Sequence, residues 1–201
     1  MFTGIVEETG VLKSLQKQEK GWRLWVGAQR ALEGLESGDS IAVNGCCLTA
    51  TAMRDGEIGF DLLEETLRCT SFGTLSPGDP LNLERSLRFD GKVGGHFVTG
   101  HIDTVGEVSE VRKEGADTWL RIRYAGEWDK LVVPKGSIAI EGVSLTVAEV
   151  LEDGLAVWLI PHTLELTNLD AKGAGDQVNL EFDMLGKQVE KLVAAYVEQG
   201  T

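Results

Sequence analysis

Short runs in which apolar and polar residues alternate, broken by Gly and Asp, dominate the chain. "GWRLWVG" from Gly21, "SIAVNGCCLTATAM" from Ser40, "EIGFDLL" from Glu57 and "DPLNLERS" from Asp79 are of this kind. Period-two runs of this length predict β-strands. The same series returns in order as "DTWLRIRY" from Asp117, "SIAIEGVSLTVAEV" from Ser137, "LAVWLIP" from Leu155 and "DQVNLEFD" from Asp176. A short helix is predicted at "EETLRCTS" from Glu64 and another at "HTLELTN" from His162, where helix formers run without Gly. About six strands per half, with no long amphipathic helix to cover a sheet, favour closed barrels, which leave no open edge. Gly45 and Gly142, each between two strand runs, are expected as sharp bends at barrel corners.

The two series are copies. Adding 97 aligns 40–84 with 137–181 without a gap, giving 15 identities over 45 positions. Chance would give roughly three or four at ordinary composition. "TGIVEETG" from Thr3 aligns with "TGHIDTVG" from Thr99 at an offset of 96. The expected fold is therefore all-β: two tandem six-stranded Greek-key closed barrels related by duplication, plus a C-terminal α-helix. The expected domains are 1–97 and 98–185, followed by a helix over 186–201. That last segment has no counterpart in the first half, and Val189, Leu192, Val193, Tyr196 and Val197 form one apolar stripe on it. An appended helix of that kind points to oligomer contact.

Charge and cysteine content narrow the function classes. A formal net charge of -13 disfavours nucleic acid and anionic membranes as partners. No signal-peptide pattern opens the chain, and no run is long and apolar enough to span a bilayer. Three cysteines, Cys46, Cys47 and Cys69, make a poor disulfide framework, and metal-ligand spacings are absent, so a reducing cytoplasm is expected and no metal site.

The segments "MFTGIVEETG", "NGCCLT", "DLLEETL", "GGHFVTGHID" and "EGVSLTV", in a tandem repeat, closely resemble the riboflavin synthase α-chain family over the whole chain. The resemblance implies a dismutation, the last step of riboflavin biosynthesis. Two molecules of 6,7-dimethyl-8-ribityllumazine exchange a four-carbon unit and give riboflavin and 5-amino-6-(D-ribitylamino)uracil. It implies no cofactor, one lumazine per barrel, and a homotrimer whose site joins the first barrel of one chain to the second of its neighbour. Enclosure by a lumazine synthase capsid is left open.

Two identical substrates in unequal roles suit a duplicated domain whose shared residues bind and whose divergent residues react. Leu48/Leu145, Thr49/Thr146 and Thr66/Thr163 are shared and fit hydrogen bonding to the pteridine edge and ribityl hydroxyls. The divergent pairs are Cys47/Ser144, Ile5/His101, Asp61/Trp158, Glu65/His162, Gly38/Lys135 and Ser86/Asp183. The resemblance places Cys47, His101, Ser144 and Asp183 among residues implicated in turnover, with Phe2 at an amino end the family needs intact. Its substrate-binding positions add Gly4, Val6 and Ser40, then Leu62, Leu63 and Glu64, then Gly100 and Ile102. In the second copy they add Lys135, Leu159, Ile160 and Pro161. The first step must remove a proton from the methyl on carbon 7 of one lumazine. A nucleophile adding to carbon 7 of the other prepares it for attack, and a His moves the proton. Cys46 and Cys69 read as small apolar fillers, and His96 and His162 as structural or solvated residues. Two rivals remain: a non-catalytic lumazine- or flavin-binding protein of the same fold, and a reductase barrel. The reductase is disfavoured because no Gly-rich nicotinamide motif follows the barrel.

Overall fold

The computed structural model describes residues 1–199. The first half runs β1 (Glu8–Lys17), β2 (Trp22–Gly27), β3 (Ser40–Val43), β4 (Cys46–Arg54), β5 (Glu57–Leu62), α1 (Glu64–Cys69) and β6 (Pro80–Arg85). The second runs β7 (Thr104–Glu114), β8 (Asp117–Arg123), β9 (Ser137–Ile140), β10 (Val143–Leu151), β11 (Gly154–Leu159), α2 (Pro161–Leu166) and β12 (Gln177–Phe182), and α3 (Met184–Gln199) follows. Each half closes into an antiparallel barrel, in the order β1-β2-β5-β4-β3-β6 and its counterpart β7-β8-β11-β10-β9-β12. Inward residues such as Leu24, Phe60 and Leu83 fill the first barrel, and Leu120, Ile140 and Leu180 the second.

Two local features differ from the sequence expectation. β1 and β7 do not read as strands: Val11, Leu12 and Leu15, and Val105, Val108 and Val111, do not alternate with polar residues. Each strand is also bulged, between Leu12 and Ser14 and between Val108 and Glu110. One extra residue at a bulge shifts the two-residue period. Gly45 and Gly142 sit in two-residue hairpins, not corner bends: Val43 pairs directly with Cys46, and Ile140 with Val143. Asn44 and Gly45 have φ of 44° and 81°, Glu141 and Gly142 of 50° and 79°. Positive φ at both central residues marks the tight turn that matches strand twist.

The two hairpin tips meet. A Cβ on Gly45 would lie 2.7 Å from the Gly142 nitrogen, so the glycines let backbone pack on backbone. A paired polar seam surrounds them. Asn82 donates to the Glu141 carbonyl (2.9 Å) and Asn179 to the Asn44 carbonyl (3.0 Å). Glu141 stands where the first copy has Asn44 and is fully buried. Burial pushes its carboxyl above the ordinary range, and Lys172 at 3.6 Å opposes that shift.

The leading segment of each repeat crosses to the other barrel. The Gly4 carbonyl accepts the Ser144 N–H in the second barrel, and the Gly100 carbonyl accepts the Cys47 N–H in the first, both at 2.8 Å. Val6 packs on the second core and Ile102 on the first. Glu84 holds the first crossing by accepting from the Thr3 N–H (2.7 Å) and Gly4 N–H (3.0 Å). Glu181 does the same for Thr99 (2.6 Å) and Gly100 (2.9 Å). Residues 1–97 therefore close a barrel but leave out Gly100–Ile102, which reach its surface beside Cys47.

Candidate active site

Strand alternation decides which residues reach a ligand. On β4, Cys46, Leu48 and Ala50 point into the barrel while Cys47 and Thr49 point out; on β10, Ser144 and Thr146 point out. The ladder between β4 and β5 begins at Ala50–Phe60, and that between β10 and β11 at Val147–Val157. Continuing each register sets Leu48–Thr49 against Asp61–Leu62, and Leu145–Thr146 against Trp158–Leu159, without ladder bonds between them. Each barrel thus has a splayed mouth whose free backbone groups and threonine hydroxyl suit the edge of a planar heterocycle. Leu63 (71% exposed) and Ile160 (55%) stand at these mouths unroofed. A cleft of about 860 Å³ reaches Ile5, Val6 and Ser40 but lies apart from Cys47, His101 and Ser144.

At the first mouth, Cys47 is half-buried and His101, next to the Gly100 that holds the Cys47 backbone, is exposed. Asp61, Glu64 and Glu65 pair with Arg23 (2.8 Å), Lys17 (3.0 Å) and Arg68 (2.6 Å). Thr66 lies in the first turn of α1, and its carbonyl accepts from the Thr70 hydroxyl (2.6 Å); Thr163 and Thr167 repeat this at 2.7 Å. Ser40 pairs with Thr49 across β3 and β4. Cys46 faces the core, where burial pushes its thiol up to about 12 and leaves it a neutral filler. Phe2 is fully buried between the barrels against Ala42, Val98 and Ala139, with Cys47 packed on the group. It bears on the site by seating Cys47.

At the second mouth the reading from sequence missed a residue. His96 Nδ1 lies 2.7 Å from the Ser144 hydroxyl, and burial lowers its pKa below the usual 6.5 against the charges of Asp183 and Glu181. A largely neutral imidazole there can take the serine proton or that of a water held by it. The repeat could not flag His96, because an offset of 96 places its counterpart before Met1. Ile5, at the position of His101, is half-exposed, and His162 and Pro161 are exposed on α2. Asp183 caps α3, its Oδ1 accepting the Leu185 N–H at 2.9 Å. Glu84 and Glu181 also went unnamed, although "NLE" is repeated at both places; their burial beneath the crossings is visible only in three dimensions.

The comparisons agree with this architecture. The family model of the lumazine binding domain matches twice, over residues 3–86 and 99–183. Riboflavin synthase of Actinobacillus pleuropneumoniae is 42% identical over 96% of the chain and 90% of its own length. Those of Bacillus subtilis and Escherichia coli are 39% and 40% identical, over 96% and 97% of the chain and 90% and 94% of their own lengths. The chain belongs to the riboflavin synthase family. Among solved structures, LumP complexed with 6,7-dimethyl-8-(1'-D-ribityl) lumazine superposes with a TM-score of 0.82 at 28% identity, covering 90% of the chain and 98% of LumP. LumP complexed with flavin mononucleotide gives 0.81 at 28% identity, over 90% and 99%.

In this riboflavin synthase family chain, one of the residues that the resemblance places among ligand contacts has a strained backbone. Lys135 has φ of 66° in the Val133–Gly136 turn, where the first copy places Gly38. A non-glycine residue in that region costs about 1–2 kcal/mol. Lys135→Gly is expected to raise the melting temperature and to weaken lumazine binding at the second mouth. A variant that binds as tightly as the parent, by fluorescence titration, would assign the lysine to the surface alone.

Proposed function

We propose that the chain converts two 6,7-dimethyl-8-ribityllumazine molecules into riboflavin and 5-amino-6-(D-ribitylamino)uracil by four-carbon transfer. The observation that carries this reading is a pair of mouths alike in backbone but different in chemistry. One offers Cys47 with His101, the other Ser144 with His96. Shared threonines and unladdered strand ends bind; the divergent groups move protons and activate carbon 7. Because both mouths are unroofed in one chain, the working site pairs the first barrel of one subunit with the second of its neighbour. The assembly is a cytoplasmic homotrimer held by α3, whose apolar stripe lies on the outside. The working division of the chain is 1–97, 98–185 and 186–201, supported by the two barrels and the two family matches.

Incubation with the lumazine alone tests the reaction. Riboflavin and the aminouracil are expected in equal amounts, each at half the lumazine consumed. Tight binding without product would favour the binding-protein reading, to which the likeness to LumP lends weight. The His96 shift adds a pH signature. Because burial lowers its pKa, the neutral base persists below pH 6.5, so the acid limb of kcat is expected below that value. His96→Gln should lower kcat by about 100-fold and remove that limb. A limb unchanged in the variant would exclude His96 as the titrating group.

A further inference from the structure

The crossing segment that carries His101 is anchored at both ends. Glu181 grips its front at Thr99 and Gly100. At its back, the Asp103 N–H reaches the Leu180 carbonyl (2.9 Å) and Asp103 Oδ2 accepts the Phe182 N–H (2.8 Å). Lys187 Nζ then closes on the same carboxylate, 2.8 Å from Oδ1 and 2.6 Å from Oδ2. The first copy has the matching arrangement, with Glu7 bonded to Arg85 at 2.6 Å and its N–H to the Leu83 carbonyl at 2.9 Å. There the cation belongs to β6 of the barrel itself. In the second copy it comes from α3, the element the first copy lacks.

We propose that Lys187 and Asp103 are positioning residues for His101, through which the docking of α3 sets the first barrel's mouth within the same chain. The inference rests on the proposed dismutase reading. Only His101 and Ile102 lie between the two anchors, so the placement of His101 depends on both. Loss of Lys187 leaves the Leu180 and Phe182 bonds but removes the cation from the Asp103 carboxylate, so the back of the His101 segment loosens while Glu181 still holds its front. The pair is partly buried, with 27% and 14% of the side chains exposed, so solvent does not fully screen it. Lys187 is no part of the outward apolar stripe, and its loss leaves that stripe intact. The helix thus has a task inside its own subunit besides joining subunits.

The chain has three histidines, so His101 can be followed by its ring proton resonance, assigned with a His101→Gln variant. Lys187→Met is expected to shift or broaden the His101 signal and leave that of His162 in place. It should lower kcat about tenfold with KM and sedimentation unchanged. Asp103→Asn should do the same, the double variant should lose little more, and Lys187→Arg should restore both readouts. A Lys187→Met protein with the parent's His101 signal and kcat overturns the inference. So does a loss of turnover that appears only together with a loss of assembly. If the parent chain makes no riboflavin, the proposed reaction falls, and the His101 resonance still decides the positioning role.

Discussion

Truncation after Gly186 is expected to dissociate the proposed trimer and abolish turnover while both barrels stay folded. The barrels are closed by β12, which ends at Phe182, so no ladder is lost. What is lost is the stripe of Val189, Leu192, Val193 and Tyr196, all 55–82% exposed in the single chain; the Val197 side chain lies outside the described residues. Such side chains contribute about 1.5–3 kcal/mol each when fully buried. Several lost in each of three chains outweigh a micromolar association, which is worth about 8 kcal/mol. The barrels should still bind lumazine, with weakened affinity because each mouth is left unroofed. Truncation also removes Lys187, so a Leu192→Glu, Val193→Glu double variant, which keeps that residue, isolates the effect of assembly. Sedimentation and activity on the same samples decide. A fully active monomer would contradict a site shared between chains.

Cys47→Ser is the second large effect. Ser144 occupies the equivalent place in the other barrel, on a strand whose first five residues have the same burial pattern, so the substitution fits the backbone. The Cys47 N–H keeps its bond to the Gly100 carbonyl, and the small side chain still meets Phe2. Folding and lumazine binding should therefore be nearly unchanged. A hydroxyl is a weaker nucleophile than a thiol, and it also forms its anion less readily near neutral pH. A fall in kcat of about 100-fold is expected, with KM moving little. Full activity would make Cys47 a packing residue and leave Ser144, or water held by His96 and Ser144, as the nucleophile.

The duplication was legible because a strand repeat with unchanged spacing preserves Leu48, Thr49 and Thr66 opposite Leu145, Thr146 and Thr163. Barrel closure followed from the number of short strands and the lack of a covering helix, and both barrels close. β1 and β7 escaped because their few apolar residues, Val11, Leu12 and Leu15 and then Val105, Val108 and Val111, do not alternate. β4 and β10 carry bulges of the same kind but are apolar enough to read as strands. The hairpins at Asn44–Gly45 and Glu141–Gly142 were read as bends, since strand residues on both sides of a two-residue turn form one unbroken run. The crossing of Thr3–Val6 and Thr99–Ile102 to opposite barrels is a tertiary fact with no local signature. His96 was hidden for a simpler reason: comparing two copies highlights only residues that both copies contain. Lys135 was legible as a divergent position, but its left-handed backbone appears only in the structure.

The central claim is that one working site draws on the first barrel of one chain and the second barrel of its neighbour. Mixing two inactive proteins tests it most directly. Cys47→Ala chains keep an intact second mouth, and Ser144→Ala chains an intact first mouth. After unfolding and refolding together, about three-quarters of random trimers contain both chains, and each such trimer has one complete interface of three. The account predicts that roughly a quarter of the parent's turnover returns in the mixture, while each variant refolded alone stays inactive. A mixed sample no more active than its components, with hybrid trimers demonstrated by mass, would contradict it.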